Sequence, residues 1–304
     1  MSAVEPKSRE FLEPAVLTRL MHVQLAARLP MVGSVAGHHK SPHRGSSVEF
    51  AEYRTYVPGD DLRRLDWRVL GRTDRYYTKE TEADTNLRCY IVLDCSASMG
   101  FGAKHGTKMA FARRIAGAFA YLSVLQGDAA GLTCVGGNQL AELPPRRNPA
   151  HLQLVFDHIE QVEARGETGL IAALHGLAER VQRRALVVVI SDLFCDAEEV
   201  LRAFQHLRFQ KHDLAVFQLL DRLELDFNFD RPMRFVDLEG PASIVTEPVV
   251  IRDEYLDALE RHRARLRDGC HELNTDFREI ITDQGYEKVL ADFLTERARM
   301  HAGG

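Results

Sequence analysis

Short apolar runs alternate with helical periodicity along the chain beyond residue 87. Residues 89–93 form an apolar run with β-branched side chains, which is typical of a buried strand. Residues 107–126 then carry apolar side chains at spacings of three and four, which predicts an amphipathic helix. The same signals predict strands at residues 88–93, 130–135, 139–143, 185–191, 214–220 and 234–238. They predict helices at residues 107–126, 149–162, 169–181, 196–209, 252–273 and 286–301.

This alternation predicts the α/β fold class, with a doubly wound, mostly parallel sheet and helices on both faces. With the strand order 3-2-1-4-5-6, the first and fourth strands would be neighbours. We divide the chain into an N-terminal α+β extension at 1–87, the α/β domain at 88–250, and C-terminal helices at 251–304 packing on or beside it. Within the extension, the pattern predicts a helix at 9–29, strands at 48–57 and 75–81, and a short helix at 61–71.

Composition removes several classes of function. The formal net charge of −5 gives no basic footprint, so we expect no nucleic-acid partner. No apolar stretch reaches membrane-spanning length, and the charged N-terminus lacks the apolar core of a signal peptide. The five cysteines are scattered and form no C-x-x-C pair, which is typical of a reduced compartment. We therefore expect a cytoplasmic protein without a membrane span.

Oxygen-bearing side chains follow directly after the first predicted strand. Asp94, Ser96 and Ser98 form the pattern D-x-S-x-S on one tight loop. Carboxylate and hydroxyl oxygens suit a hard divalent cation such as Mg²⁺, with Mn²⁺ or Ca²⁺ as substitutes, and do not suit zinc. Serines at these positions could instead cap the next helix.

Two further residues are expected at the same edge of the sheet. Thr168 precedes the helix that leads into the fourth strand, and Asp192 ends that strand. The sequence therefore predicts an oxygen-only site for one divalent cation from Asp94, Ser96, Ser98, Thr168 and Asp192. Five protein oxygens leave a coordination position open. The other interpretation makes Thr168 a helix cap and Asp192 an ordinary loop residue.

These residues resemble the metal-ion-dependent adhesion site of von Willebrand factor A domains. The N-terminal segments at residues 37–41, 45–50, 54–61 and 64–67, which include the run P-G-D-D-x-R-x-x-D-W, resemble the DUF58 family. The resemblance covers roughly residues 10–300. It implies a von Willebrand A-like domain and a MoxR-type AAA+ ATPase as partner, since relatives are commonly encoded beside such ATPases.

The charged N-terminal motif allows two interpretations. Its arginines and aspartates could form an ion-pair network that docks the segment on the α/β domain, with the tryptophan as an apolar anchor. It could instead be a partner-docking surface, because arginine and tryptophan are typical interface anchors. The residues concerned are Arg54, Asp60, Asp61, Arg64, Asp66 and Trp67.

Three functions remain open at this point. The first is a non-enzymatic, metal-dependent protein-interaction module. It would act as an adaptor that works with the ATPase on a client, and the client would offer an acidic side chain to the metal. The second is a Mg²⁺-dependent phosphoester hydrolase using Asp94 as nucleophile together with Asp192. The third is a purely structural or vestigial metal site. Two acids and weakly binding hydroxyl ligands favour reversible partner binding over a structural role.

Overall fold

The chain forms two compact units. The computed structural model describes residues 9–21, 25, 49–55, 77–82, 87–102, 104–137 and 139–302. Residues 29–87 form the smaller unit, and residues 1–28 together with 88–304 form the larger one. Within the smaller unit, β1 (Glu49–Thr55) pairs antiparallel with β2 (Tyr77–Glu82), which matches the strands predicted there. The helix predicted at 61–71 lies outside the described residues.

A six-stranded sheet forms the centre of the larger unit. The strands after β2 are β3 (Arg88–Asp94), β4 (Ala129–Gly136), β5 (Gln139–Arg146), β6 (Leu186–Ser191), β7 (Asp213–Leu220), β8 (Met233–Val236), β9 (Ser243–Thr246) and β10 (Asp276–Ile281). The sheet order is β10-β7-β6-β3-β4-β5, and only β5 runs antiparallel to its neighbour. Counted within the sheet, this is the predicted order 3-2-1-4-5-6. The doubly wound, mostly parallel fold is therefore confirmed.

The described part of the larger unit contains eight α-helices. They are α1 (Pro14–Leu20), α2 (Lys108–Leu125), α3 (Pro149–Gln161), α4 (Leu170–Arg180), α5 (Ala197–Phe209), α6 (Arg222–Asp226), α7 (Pro248–Glu272) and α8 (Tyr286–Ala302). In the part of the chain that the structure describes, no helix is both long and apolar enough to cross a membrane.

Apolar helix faces cover both sides of the sheet. On one side, buried side chains of α4, α5 and α7 pack on β6 and β7, with Leu174, Phe204 and Leu266 fully buried. On the other side, the rings of Phe119 in α2 and Phe293 in α8 meet edge-on at 5.6 Å. The central strands are buried along their length, as expected for parallel strands between two helix layers.

The C-terminal region corrects the predicted organisation. The helices predicted at 252–273 and 286–301 are present as α7 and α8, but β10 lies between them and joins the sheet beside β7. Residues 251–304 are therefore more than helices packed beside the domain. The strand predicted at 234–238 does not belong to the sheet, because β8 pairs only with β9 in a two-stranded ribbon.

The N-terminal helix also belongs to the larger unit. Its described part, α1, is shorter than the predicted helix at 9–29 and buries Val16, Leu17 and Leu20. Arg9 forms ion pairs with Asp157 and Glu160 of α3. Residues 1–28 therefore do not group with the rest of the predicted extension at 1–87.

A buried ion triad joins the last helix to the sheet. The guanidinium of Arg297 in α8 donates to Asp213 at the start of β7 and to Asp276 at the start of β10. All three side chains are buried. Removing a cation from such a group leaves two buried carboxylates without their counter-charge.

We predict that Arg297→Met lowers the free energy of unfolding by about 3–5 kcal/mol, the usual cost of breaking a buried ion pair on one side. Chemical denaturation measures this change. The matched control is Arg265→Met, which removes an exposed arginine paired with Glu198 and should change stability far less. Equal losses in the two variants would contradict a special role for the buried triad.

Candidate metal centre

The two acidic residues predicted as metal ligands lie at the carboxyl ends of neighbouring strands. Asp94 is the last residue of β3, and Asp192 follows directly after β6. The two strands pair in parallel with Leu93 opposite Ile190, so Asp94 lies level with Ser191, and Asp192 follows one residue later at the same edge of the sheet. Both aspartates are only 2% exposed. The sheet topology therefore brings together two carboxylates from distant parts of the chain.

Hydroxyl groups surround the Asp94 carboxylate. The backbone N–H of Ser96 donates to Oδ1 at 2.9 Å, and the hydroxyl of Ser191 donates to Oδ2 at 2.6 Å. The Thr168 hydroxyl lies 3.5 Å from Oδ1 and 3.4 Å from Oδ2. The hydroxyls of Ser96 and Ser98 are 3.0 Å apart. Asp94 and the three predicted hydroxyl residues therefore form one cluster, to which the structure adds Ser191.

The alternative of helix capping holds for only one of these residues. Ser96 precedes a short 3₁₀ turn at Ala97–Gly100 but makes no side-chain capping hydrogen bond. Thr168 accepts a hydrogen bond from the backbone N–H of Leu170 at 3.3 Å, so it supports the start of α4 while it contacts Asp94. Capping and contact with the carboxylate coexist at Thr168.

Two glycines allow the loops of the site to approach one another. Gly137 and Gly166 both have left-handed backbone conformations, with φ of 58° and 68°. A Cβ on Gly166 would lie 2.6 Å from the Cα of Gly137, which leaves no room for a side chain. The backbone N–H of Ala97 donates to the carbonyl of Gly166 at 2.9 Å. The loop that carries Thr168 is thereby fixed against the D-x-S-x-S loop.

A fully buried lysine pairs with Asp192. The Lys108 ammonium donates to Asp192 Oδ2 at 2.7 Å and to Glu224 Oε1 at 2.6 Å. It also lies 4.7 Å from the ring of Phe194 and 5.8 Å from that of Phe101. The other oxygen of Asp192 accepts from the backbone N–H of Phe194 at 3.2 Å. Asp192 is therefore held by an internal cation and by the loop that follows it.

The electrostatics of the site follow from burial and from the short distance between the acids. Burial, and then the charge of Asp192, raise the pKa of Asp94 to about 6, although hydrogen bonds from Ser191 and Ser96 oppose this shift. For Lys108, burial acts to lower the pKa, but the charges of Asp192 and Glu224 outweigh it and raise the pKa overall. The cluster therefore sets three carboxyl groups, those of Asp94, Asp192 and Glu224, against the single ammonium of Lys108.

The donor set fits a hard divalent cation. Two carboxyl groups and three hydroxyls offer only oxygen, and a bound cation would supply a counter-charge that favours the ionised form of the acids. Among the described residues, no group of three or more His, Cys, Asp or Glu side chains is placed to hold a metal ion. A cation in this site would therefore depend on hydroxyl oxygens as well as on Asp94 and Asp192.

Sequence reasoning missed the residues that support the two acids. Ser191 directly precedes Asp192, so its position at a strand end was a usable signal. Lys108 is the first residue of α2 and carries no sequence signal of burial.

Of the predicted docking residues, Arg54 lies in β1. Five others lie outside the described residues: Asp60, Asp61, Arg64, Asp66 and Trp67.

The raised pKa of Asp94 gives a pH dependence to stability. The folded protein favours the protonated form of the Asp94 carboxyl. The stability that this preference contributes is fully present below the ordinary pKa of 3.8 and is lost as the pH rises through about 6. In EDTA, Asp94→Asn should lack this loss and should become more stable relative to wild type as the pH rises from about 4 to about 7. Urea denaturation across that range measures the difference. The exposed Asp268→Asn is the control, and parallel pH profiles for wild type and Asp94→Asn would refute the prediction.

The chain is similar to several known proteins. It is 26% identical over 291 residues to the uncharacterized protein Rv1480 of Mycobacterium tuberculosis, covering 94% of this chain and 91% of that protein. The crystal structure of an aerotolerance-related membrane protein from Bacteroides fragilis aligns with a TM-score of 0.46 and 16% identity, covering 70% of this chain and all of that one. The SpRpn10 VWA domain aligns with a TM-score of 0.39 and 12% identity, covering 68% and 95%.

The family assignment follows from the sequence itself. The family described as "Protein of unknown function DUF58" matches residues 52–265, which is more than half of the chain. The sheet order and the strand-end cluster described above agree with a von Willebrand A-like fold for the larger unit. The chain belongs to the DUF58 family.

Proposed function

We propose that this protein is a non-enzymatic, metal-dependent protein-interaction module. Asp94, Ser96, Ser98, Thr168 and Asp192 would hold one Mg²⁺, for which Mn²⁺ or Ca²⁺ could substitute. The observation that carries the proposal is the convergence of two buried carboxylates and three hydroxyls at the carboxyl edge of the sheet. When bound, the metal supplies a positive charge that attracts an acidic side chain of a client protein.

The protein's own residues would prepare the site for that role. Ser191 and the backbone of Ser96 orient the Asp94 carboxylate, and the backbone N–H of Phe194 orients Asp192. These hydrogen bonds fix both acids before a cation arrives, which lowers the entropy lost on binding. Preorganised oxygen ligands with only two acids suit reversible binding better than a permanent structural metal.

The hydrolase alternative receives less support from the same contacts. The Asp94 oxygens accept hydrogen bonds from Ser96 and Ser191, which lower the nucleophilicity of the carboxylate but leave each oxygen a lone pair for a cation. The position two residues after Asp94, where an acid–base aspartate would help such chemistry, is Ser96. These observations support a positioning role for Asp94.

We further propose a MoxR-type AAA+ ATPase as the partner. This step rests on the family resemblance. The ATPase would supply the energy to remodel or assemble a client, and this protein would act as the adaptor that docks the client through the metal. The charged motif from Arg54 to Trp67 is the candidate for contact with the ATPase, and its role stays a prediction.

Asp94→Ala should abolish saturable Mg²⁺ binding in isothermal titration and should reduce co-purification with the MoxR-type ATPase encoded in the same genome. The physical reason is the loss of one of the two acids of the site, the one that the hydroxyl groups surround. Glu179→Ala, which removes an exposed acid from α4, is the matched control and should behave as wild type. Unchanged Mg²⁺ binding and co-purification in Asp94→Ala would reject the proposal, whereas phosphoester turnover lost in this variant would support the hydrolase.

Lys108 should oppose metal binding, because its ammonium occupies Asp192 and repels a cation. We expect Lys108→Met to bind Mn²⁺ about tenfold more tightly or better, since a nearby positive charge is removed from a site of low dielectric. Glu224→Gln should weaken Mn²⁺ binding, because Lys108 then has Asp192 as its remaining charged partner and competes more strongly with the metal for it. Manganese titration followed by electron paramagnetic resonance measures both constants. Weaker binding in Lys108→Met would mean that the lysine organises the site for the metal instead of competing with it.

A further inference from the structure

An aromatic cavity opens beside the candidate metal centre. Its volume is about 460 Å³, and Ser98, one of the proposed metal ligands, forms part of its wall. Six rings line it: those of Phe101, Phe194, Phe227, Phe229, Phe235 and Tyr255. A partner side chain placed next to an acid bound at the metal centre would therefore enter a space walled by aromatic rings.

Phe227 organises this set of rings. It packs against Phe235 at 5.4 Å in a stacked arrangement, against Tyr255 at 4.5 Å and against Phe229 at 5.1 Å. Its backbone has a φ of 44°, a left-handed conformation that costs energy for a bulky residue. Such strain persists only where the surrounding packing enforces it. The rings are thus positioned before any ligand binds.

Carboxylates share the cavity wall with these rings. Glu224, Asp237 and Glu239 all line it. Glu224 pairs with Lys108, whereas Glu239 accepts a hydrogen bond from the Thr168 backbone N–H at 3.1 Å, and Asp237 accepts one from the Glu239 N–H at 2.9 Å. A backbone N–H is a neutral donor, so it supplies no counter-charge to Asp237 or Glu239. The cavity therefore combines ring faces with two carboxylates that are not neutralised by Lys108.

The protein already binds one cation by this chemistry. The ammonium of Lys108 lies 4.7 Å from the Phe194 ring and pairs with Glu224, both of which are part of the cavity wall. Aromatic faces attract cations, and nearby carboxylates strengthen the attraction in a partly dehydrated site. A second cation would find the same kinds of group at the exposed Asp237 and the half-buried Glu239, in a more hydrated part of the cavity.

We propose that this cavity binds an arginine side chain of the partner. The planar guanidinium stacks on aromatic faces and pairs with carboxylates, which a compact ammonium does less well. The recognised segment would then carry an acid for the metal and an arginine close to it in sequence. The link to the acid rests on the proposed function, but binding of the guanidinium by itself does not require the metal.

The first experiment uses the full chain in EDTA and two small probes, Nα-acetylarginine amide and Nα-acetylcitrulline amide. Citrulline has nearly the same shape as arginine but no charge. Nuclear magnetic resonance of ¹³C-labelled phenylalanine and tyrosine rings should show saturable shifts with the arginine probe and about tenfold weaker binding of citrulline. Equal affinity for both probes, or no ring shifts at millimolar concentration, would overturn the inference.

Variants locate the binding to the cavity. Phe235→Leu and Glu239→Gln should each lower the affinity for the arginine probe about fivefold or more. Phe209→Leu, which alters an 81% exposed phenylalanine on α5, is the control and should leave affinity unchanged. Loss of affinity in the Phe209 variant, or none in the cavity variants, would place the probe elsewhere and reject the inference.

A peptide then separates this inference from the proposed function. With Mg²⁺, acetyl-Asp-Gly-Arg amide should bind more tightly than the arginine probe, and Asp94→Ala should remove the gain. If the gain is absent while arginine still binds, the metal-dependent function fails and the cavity inference stands. If Mg²⁺ strengthens binding of the peptide but replacing its arginine by citrulline leaves the affinity unchanged, the cavity inference fails and the metal-dependent function stands.

Discussion

The proximity of two buried carboxylates is the constraint on which the rest of this site depends. Parallel pairing of β3 with β6 places Asp94 and Asp192 at one edge of the sheet, where burial and the charge of Asp192 disfavour the ionised form of Asp94. The surrounding structure compensates through hydrogen bonds from Ser191 and Ser96, and through the buried ammonium of Lys108. A divalent cation would complete this compensation, which connects the fold directly to the proposed function.

The sequence was sufficient for five of the six strands of the sheet, β3 to β7, and for the positions of the main site residues. Regular alternation of strands and helices predicted the doubly wound topology, because short apolar runs separated by amphipathic helices allow few other arrangements. Once the strand order is set, the ends of strands one and four must meet. Asp94 and Asp192 could therefore be paired from sequence alone, and Thr168 followed from its place before α4. Whether a metal binds them could not be decided in this way.

The features that were missed depend on tertiary packing or on polar edge positions. β10 reads D-F-R-E-I-I, and its charged residues are tolerated because it lies at the edge of the sheet. Lys108 looks like an ordinary helix-start lysine, and its burial arises only where α2, α6 and the loop after β6 converge. The aromatic cavity likewise gathers rings from several segments, so no local pattern could reveal it.

The most direct test of this account is a crystal structure of the full chain grown with Mn²⁺, with anomalous diffraction recorded at the manganese absorption edge. The account predicts one strong anomalous peak within bonding distance of oxygens from Asp94, Asp192 and the hydroxyls of Ser96, Ser98 and Thr168, directly or through water. A fully ordered site with Lys108 still bound to Asp192 and no anomalous peak, or a peak elsewhere on the protein, would contradict it.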